Sequence, residues 1–222
     1  MVVFTVRGEM MKDFPMFTTE FGVASLVLRE IPYRGEAFIL IQDTCQPEEL
    51  LAECITFCRI CGAEKIYARG HEIIEKYPLH CIVYEMRGTA RVDESKVENL
   101  WPVTQETVGQ WRELMNEKMR PVDNSGTLVK KGEQEILSSG GAYFVHHAGE
   151  LLGAGWLAGN ELLLLCAVKP GAGERVCHTL FSLIPDQQIK LDVVSTNERA
   201  IRLYEKLGFV KTAEHRRWHR VL

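Results

Sequence analysis

The stretch that decides the fold is Ser195-Thr-Asn-Glu-Arg-Ala-Ile-Arg-Leu-Tyr-Glu-Lys-Leu-Gly-Phe209. Four of its side chains recur at helical spacing and share one face: Ala200, Leu203, Tyr204 and Leu207. This pattern predicts an amphipathic helix over Glu198–Leu207, and Gly208 stands where a helix ends in a left-handed residue. Ser195 and Glu198 have the spacing of a capping box. The β-rich run Ile189–Val194 comes just before, so a strand, a turn and a helix are expected in succession.

A phenol on the buried side of this helix needs a polar partner. Tyr204 lies seven residues after Asn197, almost two helical turns, so the two polar tips lie along the same side. The string Asn197-x-x-Ala200-x-x-Leu203-Tyr204-Glu-Lys-Leu-Gly208-Phe209 closely resembles the helix and turn that face acetyl-CoA in the GNAT superfamily of N-acyltransferases. The resemblance implies that Tyr204 donates a proton to the departing CoA thiolate. It also implies that Asn197 contacts the cofactor arm.

The order of elements from about residue 97 onwards agrees with the fold of that family. The patterns predict two helices, three strands, and then helix, strand, helix and strand: Gln105–Met119, Leu128–Leu137, Ala142–His146, Leu151–Leu157, Glu161–Val168, Glu174–Ile184, Ile189–Val194, Glu198–Leu207 and Ala213–Val221. The resemblance therefore implies an α/β chain with a mixed sheet and a GNAT acyltransferase domain over residues 94–222.

Residues 1–93 carry a similar succession of patterns and predict a smaller α/β domain. A hairpin is followed by helix, strand, helix and strand: Ala24–Ile31, Ala37–Ile41, Pro47–Gly62, Lys65–Ala68, His71–Tyr77 and Cys81–Met86. The polar stretch Gly88–Lys96 lacks apolar periodicity and is the expected linker. We expect this half to be a degenerate GNAT-like copy that binds no CoA. Covering a sheet edge, shaping the acceptor pocket and pairing chains into a homodimer are the roles open to it.

The segment Val168-Lys-Pro-Gly-Ala-Gly-Glu-Arg-Val-Cys177 stands where GNAT proteins carry a pyrophosphate loop of the form Gln/Arg-x-x-Gly-x-Gly/Ala. Two registers are open. One matches Gly171 and Gly173 to the two glycines and puts Val168 at the Gln/Arg position, and the other, aligned by the helix, puts Ala172 at that position. Glycines let backbone N–H groups approach phosphate, and a helix N-terminus favours anions. The residues expected to bind the cofactor are Ala167, Val168, Gly171, Ala172, Gly173, Glu174, Arg175, Val176, Asn197 and Tyr204. Ala167 and Val168 would pair with the pantetheine arm through their main chain, and Arg175 would replace the missing Gln or Arg.

The general base is left open among Glu150, Glu161, His146 and His147, which lie near strands that border the acceptor cleft of the family. Trp156 is expected in the core. The function that the resemblance implies is acetyl-CoA-dependent N-acetylation of a primary amine by direct transfer. The alternative is a catalytically weak or inactive module that binds acyl-CoA or a partner.

The amino-acid composition narrows the classes of protein to which this chain can belong. Hydrophobic residues make up 46% of the 222-residue chain and charged residues 25%, as in soluble globular proteins. The formal net charge of −4 predicts no nucleic-acid partner, and the basic tail His215–Arg220 is interpreted as a solvated strand edge. No apolar run reaches the length of a membrane span. The seven cysteines follow no secretory signal and are interpreted as buried thiols of a cytoplasmic protein.

Cys54-x-x-x-Cys58-x-x-Cys61 has the spacing with which radical S-adenosylmethionine enzymes hold an iron–sulfur cluster. The same cysteines recur at helical spacing with Leu50, Leu51 and Ile55, which is the pattern of a core stripe. We therefore expect packing and no metal.

Overall fold

The computed structural model describes residues 15–184 and 186–222, which form two compact units. The N-terminal unit contains the described residues up to 82 together with residues 216–222. The C-terminal unit contains residues 83–215, apart from residue 185. The predicted domain boundary after residue 93 stays a prediction, because packing units need not be domains that fold independently.

The N-terminal elements are β1 (Met16–Thr19), β2 (Gly22–Val27), α1 (Ile31–Arg34), β3 (Glu36–Thr44), α2 (Pro47–Ile60), β4 (Lys65–Arg69) and a 3-10 helix at Glu72–Lys76. β5 (Leu79–Thr89) follows. The later elements are a 3-10 helix at Glu94–Lys96, β6 (Asn99–Pro102), α3 (Val108–Met119), a 3-10 helix at Lys130–Gly132, α4 (Glu133–Ser139), β7 (Ala142–His147), β8 (Glu150–Ala158), β9 (Glu161–Ala167), α5 (Gly173–Phe181), β10 (Gln188–Val194), α6 (Glu198–Lys206) and β11 (Val210–Arg220). Among these helices none is both long and apolar enough to cross a membrane.

The sheet of the N-terminal unit has the order β1-β2-β3-β4-β11. β3 and β4 are parallel and are joined by α2, while the end of β11 pairs antiparallel with β4. Four buried side chains of α2 pack in the core of this unit: Leu50, Leu51, Cys54 and Cys58. The core role predicted for Cys54 and Cys58 is thus confirmed. The prediction was wrong for Cys45 and Cys61, which are exposed because they lie at the two ends of this helix.

The sheet of the C-terminal unit has the order β5-β10-β9-β8-β7-β6. All neighbours are antiparallel except β9 and β10, which are parallel and joined by α5. α5 and α6 cover one face and α3 and α4 the other. Gly153 on β8 permits the close approach of α5, because a Cβ there would lie 2.7 Å from Cγ2 of Val176 and 2.3 Å from the carbonyl oxygen of Cys166.

The two halves of the sequence repeat one order of elements. Strand, helix, strand, helical turn and strand run from β3 to β5, and the same types of element run from β9 to β11. The strand beside β10 is β5, and the strand beside β4 is β11. The sheet with β10 therefore contains β5, which comes from the first half of the sequence. The sheet with β4 contains β11, which comes from the second half. That the first half is a degenerate GNAT copy stays a prediction.

Two local predictions were wrong, and two short strands were not predicted. The expected linker is partly strand, because β5 continues to Thr89 and pairs with β10 as far as Gln188. The edge strands β1 and β6 had not been predicted; each is only four residues long. The cap of α6 is Asn197 instead of Ser195, since the Asn197 Oδ1 accepts a hydrogen bond from the Ala200 N–H at 3.2 Å.

Candidate functional site

The parallel strands β9 and β10 separate soon after they meet. Their register contains two pairs, Lys190 with Glu161 and Leu191 with Leu162. Beyond these pairs both strands continue, β9 to Ala167 and β10 to Val194. Main-chain groups along the facing edges therefore border an opening at the C-terminal ends of the two strands. Such groups need hydrogen-bond partners, and an extended ligand arm can supply them.

α5 begins directly at this end of β9. Its N-cap is Ala172, and the preceding Gly171 has a φ of +84°, a conformation that favours glycine. A Cβ at Gly171 would meet no described atom within 4 Å, so the loop has open space around it. The first N–H groups of a helix have no intrahelical acceptor and carry partial positive charge. The loop and helix terminus thus have the construction of an anion site.

A cleft of about 260 Å³ lies at this terminus. It is lined by residues of the loop, of α5 and of α6: Ala167, Val168, Lys169, Pro170, Gly171, Gly173, Glu174, Arg199, Leu203 and Lys206. Three of these side chains are cations and one is a carboxylate. The cations Lys169, Arg199 and Lys206 were not predicted as site residues, although Arg199 and Lys206 lie inside the motif Ser195–Phe209.

Glu174 is held by two lysines, of which only Lys206 lines this cleft. Its Oε2 accepts a hydrogen bond from Lys206 Nζ at 2.5 Å and its Oε1 accepts one from Lys96 Nζ at 2.8 Å. These hydrogen bonds, first that of Lys206, lower the pKa of Glu174 to about 2. An ionised carboxylate stands at the helix N-terminus, where it neutralises two of the nearby cations.

The structure brings some of the predicted cofactor residues together and separates others. Ala167, Val168, Gly171, Gly173 and Glu174 line the cleft. The Val168 N–H donates to the Leu152 carbonyl at 2.7 Å, so the adjacent main chain of Ala167 points to the other side of β9, towards β10.

The remaining predicted residues make other contacts. The side chains of Ala172 and Val176 are buried in the core, which leaves only their main chain for a ligand. The Arg175 guanidinium donates to the Glu98 carboxylate, and Asn197 caps α6.

Tyr204 is fully buried on α6 and does not line the cleft. Its ring packs 5.8 Å from the ring of Phe209, and its hydroxyl has no hydrogen-bond partner among the described residues. Burial, and next the neighbouring Cys177 sulfur, hold the pKa of Tyr204 well above its ordinary value. The side chain is therefore a protonated donor without an acceptor.

The candidate bases named from the sequence differ in their surroundings. Glu150 is exposed and pairs with Lys169, while Nδ1 of His147 lies 2.7 Å from Oε2 of Glu98. His146 packs beside Trp101 with its Nδ1 buried, and Glu161 lies 3.7 Å from Lys190 Nζ. These four side chains form no common cluster. Trp156 packs in the core against Trp111 and donates from Nε1 to Ser139 Oγ at 2.9 Å, as predicted.

A polar cluster that the sequence did not reveal lies on the other face of the C-terminal sheet. Asp192 on β10 and Glu85 on β5 are directly opposite each other, and His215 from β11 lies between their carboxylates. A pattern of alternating residues on Gln188–Val194 places Asp192 on the face away from α5. The contacts of His215 with Asp192 and Glu85 depend on strand pairing between residues far apart in the sequence.

No family model matches this chain, and no curated protein matches it. Several solved structures are similar to this chain. A conserved protein of unknown function from Staphylococcus epidermidis has a TM-score of 0.59 at 11% identity, over 97% of this chain and 96% of that one. GCN5-related N-acetyltransferases from Anabaena variabilis and Kribbella flavida have TM-scores of 0.58 and 0.53 at 9% and 15% identity. Each match covers 90% of this chain, and 59% and 55% respectively of theirs.

These likenesses, together with the separated parallel strands, define the class of fold. The chain has the mixed α/β fold of GNAT acetyltransferases. At such identities they show the fold alone.

Proposed function

We propose that the protein is an acyl-CoA-dependent N-acyltransferase that transfers an acetyl group directly to a primary amine. The observation that carries the proposal is the opening between β9 and β10, with the N-terminus of α5 at its end. An elongated ligand with an anionic end suits this arrangement. Its arm would pair with main-chain groups along the opening and its anion would bind at the helix N-terminus.

The residues present fit acetyl-CoA at two points. Gly171, Gly173 and the cations Lys169, Arg199 and Lys206 line a cleft suited to a pyrophosphate. The buried hydroxyl of Tyr204 has no partner within residues 15–184 and 186–222, which is costly unless a bound group supplies one. Acetyl-CoA would supply an activated acyl group and a thiolate that requires a proton.

Within this proposal each residue has a defined task. The N–H groups at the start of α5 bind the pyrophosphate, and the Ala167 main chain orients the pantetheine arm. Tyr204 holds a proton for the leaving sulfur, since its raised pKa keeps it protonated until a strong base arrives. Because Tyr204 is fully buried, the arm must enter between the strands to reach it. Positioning supplies much of the expected rate enhancement.

The burial of Tyr204 and the carboxylate of Glu174 at the anion site favour a second candidate, a module that binds acyl-CoA without turnover. Thiol release from acetyl-CoA, measured across a panel of primary amines, separates the two. The transferase requires release that depends on amine concentration and an acetylated amine in stoichiometric amount. Binding of acetyl-CoA without either product would establish the module and overturn the transferase.

A further inference from the structure

The polar cluster of Glu85, Asp192 and His215 is assembled from β5, β10 and β11, and all three residues belong to the C-terminal unit. Asp192 and Glu85 are directly opposite in the antiparallel register of β10 and β5, so both side chains leave the same face of the sheet. Leu191 and Val193, on either side of Asp192, belong to the core beneath α5 and α6. The carboxylates therefore lie on the opposite face from Tyr204.

The two carboxylates are buried, with Asp192 1% and Glu85 6% exposed. Oε1 of Glu85 accepts hydrogen bonds from Arg87 Nε at 2.6 Å and Thr212 Oγ1 at 2.7 Å. These contacts, first that of Arg87, lower the pKa of Glu85 to about 2, so this carboxylate remains charged. A buried negative charge favours a neighbouring group that carries or accepts a proton.

His215 is placed to be that group. Its Nδ1 lies 3.2 Å from Oδ1 of Asp192 and its Nε2 lies 3.4 Å from Oε2 of Glu85. A neutral imidazole can donate to only one of the two carboxylates, whereas a ring with protons on both nitrogens can donate to both. The His215 side chain is 31% exposed, which makes it the member of the cluster that a substrate can reach.

The cluster also lies at the opening described above. Asp192 is the first residue of β10 beyond the last pair with β9, which joins Leu191 to Leu162. Tyr204 approaches the same strands from the face of α5 and α6, where it packs in one core with Leu191 and Val193. A proton acceptor and a proton donor thus flank the separated strands from opposite faces. A direct transfer needs both groups within reach of the thioester, because the attacking amine must lose protons and the departing sulfur must gain one.

We propose that His215 is the general base of the acyl transfer, that Asp192 and Glu85 are positioning residues for its imidazole, and that the acceptor is a cationic primary amine. This inference rests on the proposed function. The ammonium gives a proton to His215, and the free amine forms a bond to the thioester carbonyl carbon as the C–S bond breaks. The sulfur takes the Tyr204 proton, Tyr204 regains one from the acylated nitrogen, and His215 releases its proton to solvent.

The experiment compares His215→Gln with His219→Gln as a matched control. His219 lies on the same strand, but its Nδ1 contacts the backbone oxygen of Tyr77, away from the carboxylates. We expect H215Q to lower kcat for a cationic amine roughly 100-fold or more, which is the usual contribution of a general base. The Kd of acetyl-CoA should stay unchanged, and added imidazole should restore part of the rate. H219Q should keep the wild-type kcat.

Different results separate this inference from the proposed function. An active wild type with an equally active H215Q overturns the base assignment alone, as does equal kcat/KM for cationic amines and for amines of net negative charge. Absence of amine-dependent thiol release in the wild type overturns both proposals. If H215Q does not fold, Asp192→Asn gives the same test. A reduced kcat with unchanged acetyl-CoA affinity supports the role, and an unchanged kcat contradicts it.

Discussion

At the scale of single residues, Tyr204 connects the fold to the proposed chemistry. A tyrosine at a core position brings a hydroxyl that costs free energy unless it is hydrogen-bonded. Phenylalanine would fill the same volume without that cost. Since this hydroxyl has no hydrogen-bond partner among the described residues, we propose that it serves the chemistry and not the packing.

Tyr204→Phe should lower kcat about 100-fold while leaving the Kd of acetyl-CoA nearly unchanged, because proton donation matters only as the sulfur leaves. The variant should also be equally stable or more stable by about 1 kcal/mol, since an unsatisfied buried hydroxyl is removed. Tyr143→Phe is the control, because the Tyr143 hydroxyl donates to the exposed carbonyl of Gly140. Steady-state kinetics and thermal melts give both quantities. A variant with unchanged kcat would assign Tyr204 to packing.

The ionised carboxylate of Glu174 should make the stability of the folded protein depend on pH. Its pKa in the folded protein is lowered to about 2, so its contribution is fully present above the unfolded pKa of about 4.3 and is lost as the pH falls towards 2. When the pH is lowered from about 4.5 to 2, the Glu174→Gln variant should therefore lose less stability than the wild-type protein. Parallel melts across this window measure the difference. Identical acid slopes for the two proteins would show that the lysine contacts do not stabilise the folded state.

The sequence could identify the residues of the motif but not their partners. Tyr204 and Gly171 follow from helical spacing and turn chemistry, which are local. The Glu85–His215–Asp192 cluster joins Glu85 to two residues more than one hundred positions away, so it depends on strand register. The contacts of Glu174 with Lys96 and Lys206 likewise require the tertiary structure.

At the scale of elements, the approach of α5 to the sheet determines where its N-terminus lies. Gly153→Ala should destabilise the protein by about 1–3 kcal/mol, because the new methyl group would overlap the Cys166 carbonyl and the Val176 side chain. Gly109→Ala on α3 is the control, since the nearest atom would be 3.9 Å away and alanine is the better helix former. Chemical denaturation measures both. Equal stability of G153A and the wild type would contradict this packing.

The α2 helix gives a second test at this scale. Burial raises the pKa of Cys54 to about 11 and that of Cys58 to about 12, whereas Cys45 and Cys61 are exposed. Iodoacetamide should therefore alkylate Cys45 and Cys61 in the native protein and Cys54 and Cys58 only after unfolding, because the thiolate is the reactive form. Peptide mass spectrometry identifies the sites. Native alkylation of Cys58 would contradict the core position of this face.

The types of the long elements followed from hydrophobic periodicity, which is strong over α2, β9 and α6. The short strands β1 and β6 did not, because four residues carry too little periodic signal and their pairing is non-local. The linker prediction failed for a related reason. Gly88 looked like a break, but it permits the approach of Phe209, whose ring would lie 2.7 Å from a Cβ there.

At the scale of the whole molecule, the two halves share an order of elements but differ in their chemistry. α5 follows a glycine loop, whereas α2 follows Gln46 and begins at Pro47, with no glycine between the preceding strand and the helix. The first turn of α2 also carries Glu48 and Glu49, which would repel a phosphate. We therefore propose that the chain has one CoA site and that this site lies in the C-terminal unit.

Calorimetric titration of acetyl-CoA tests this assignment most directly, with wild type, Gly173→Leu and the control Gly132→Leu. Gly132 is not a lining residue of the cleft, and a Cβ there meets no described atom within 4 Å. We expect one site per chain in the wild type and in G132L. We expect no binding in G173L, because a side chain at the start of α5 would fill the space of the pyrophosphate. Two equivalent sites, or one site that survives G173L, would contradict this assignment.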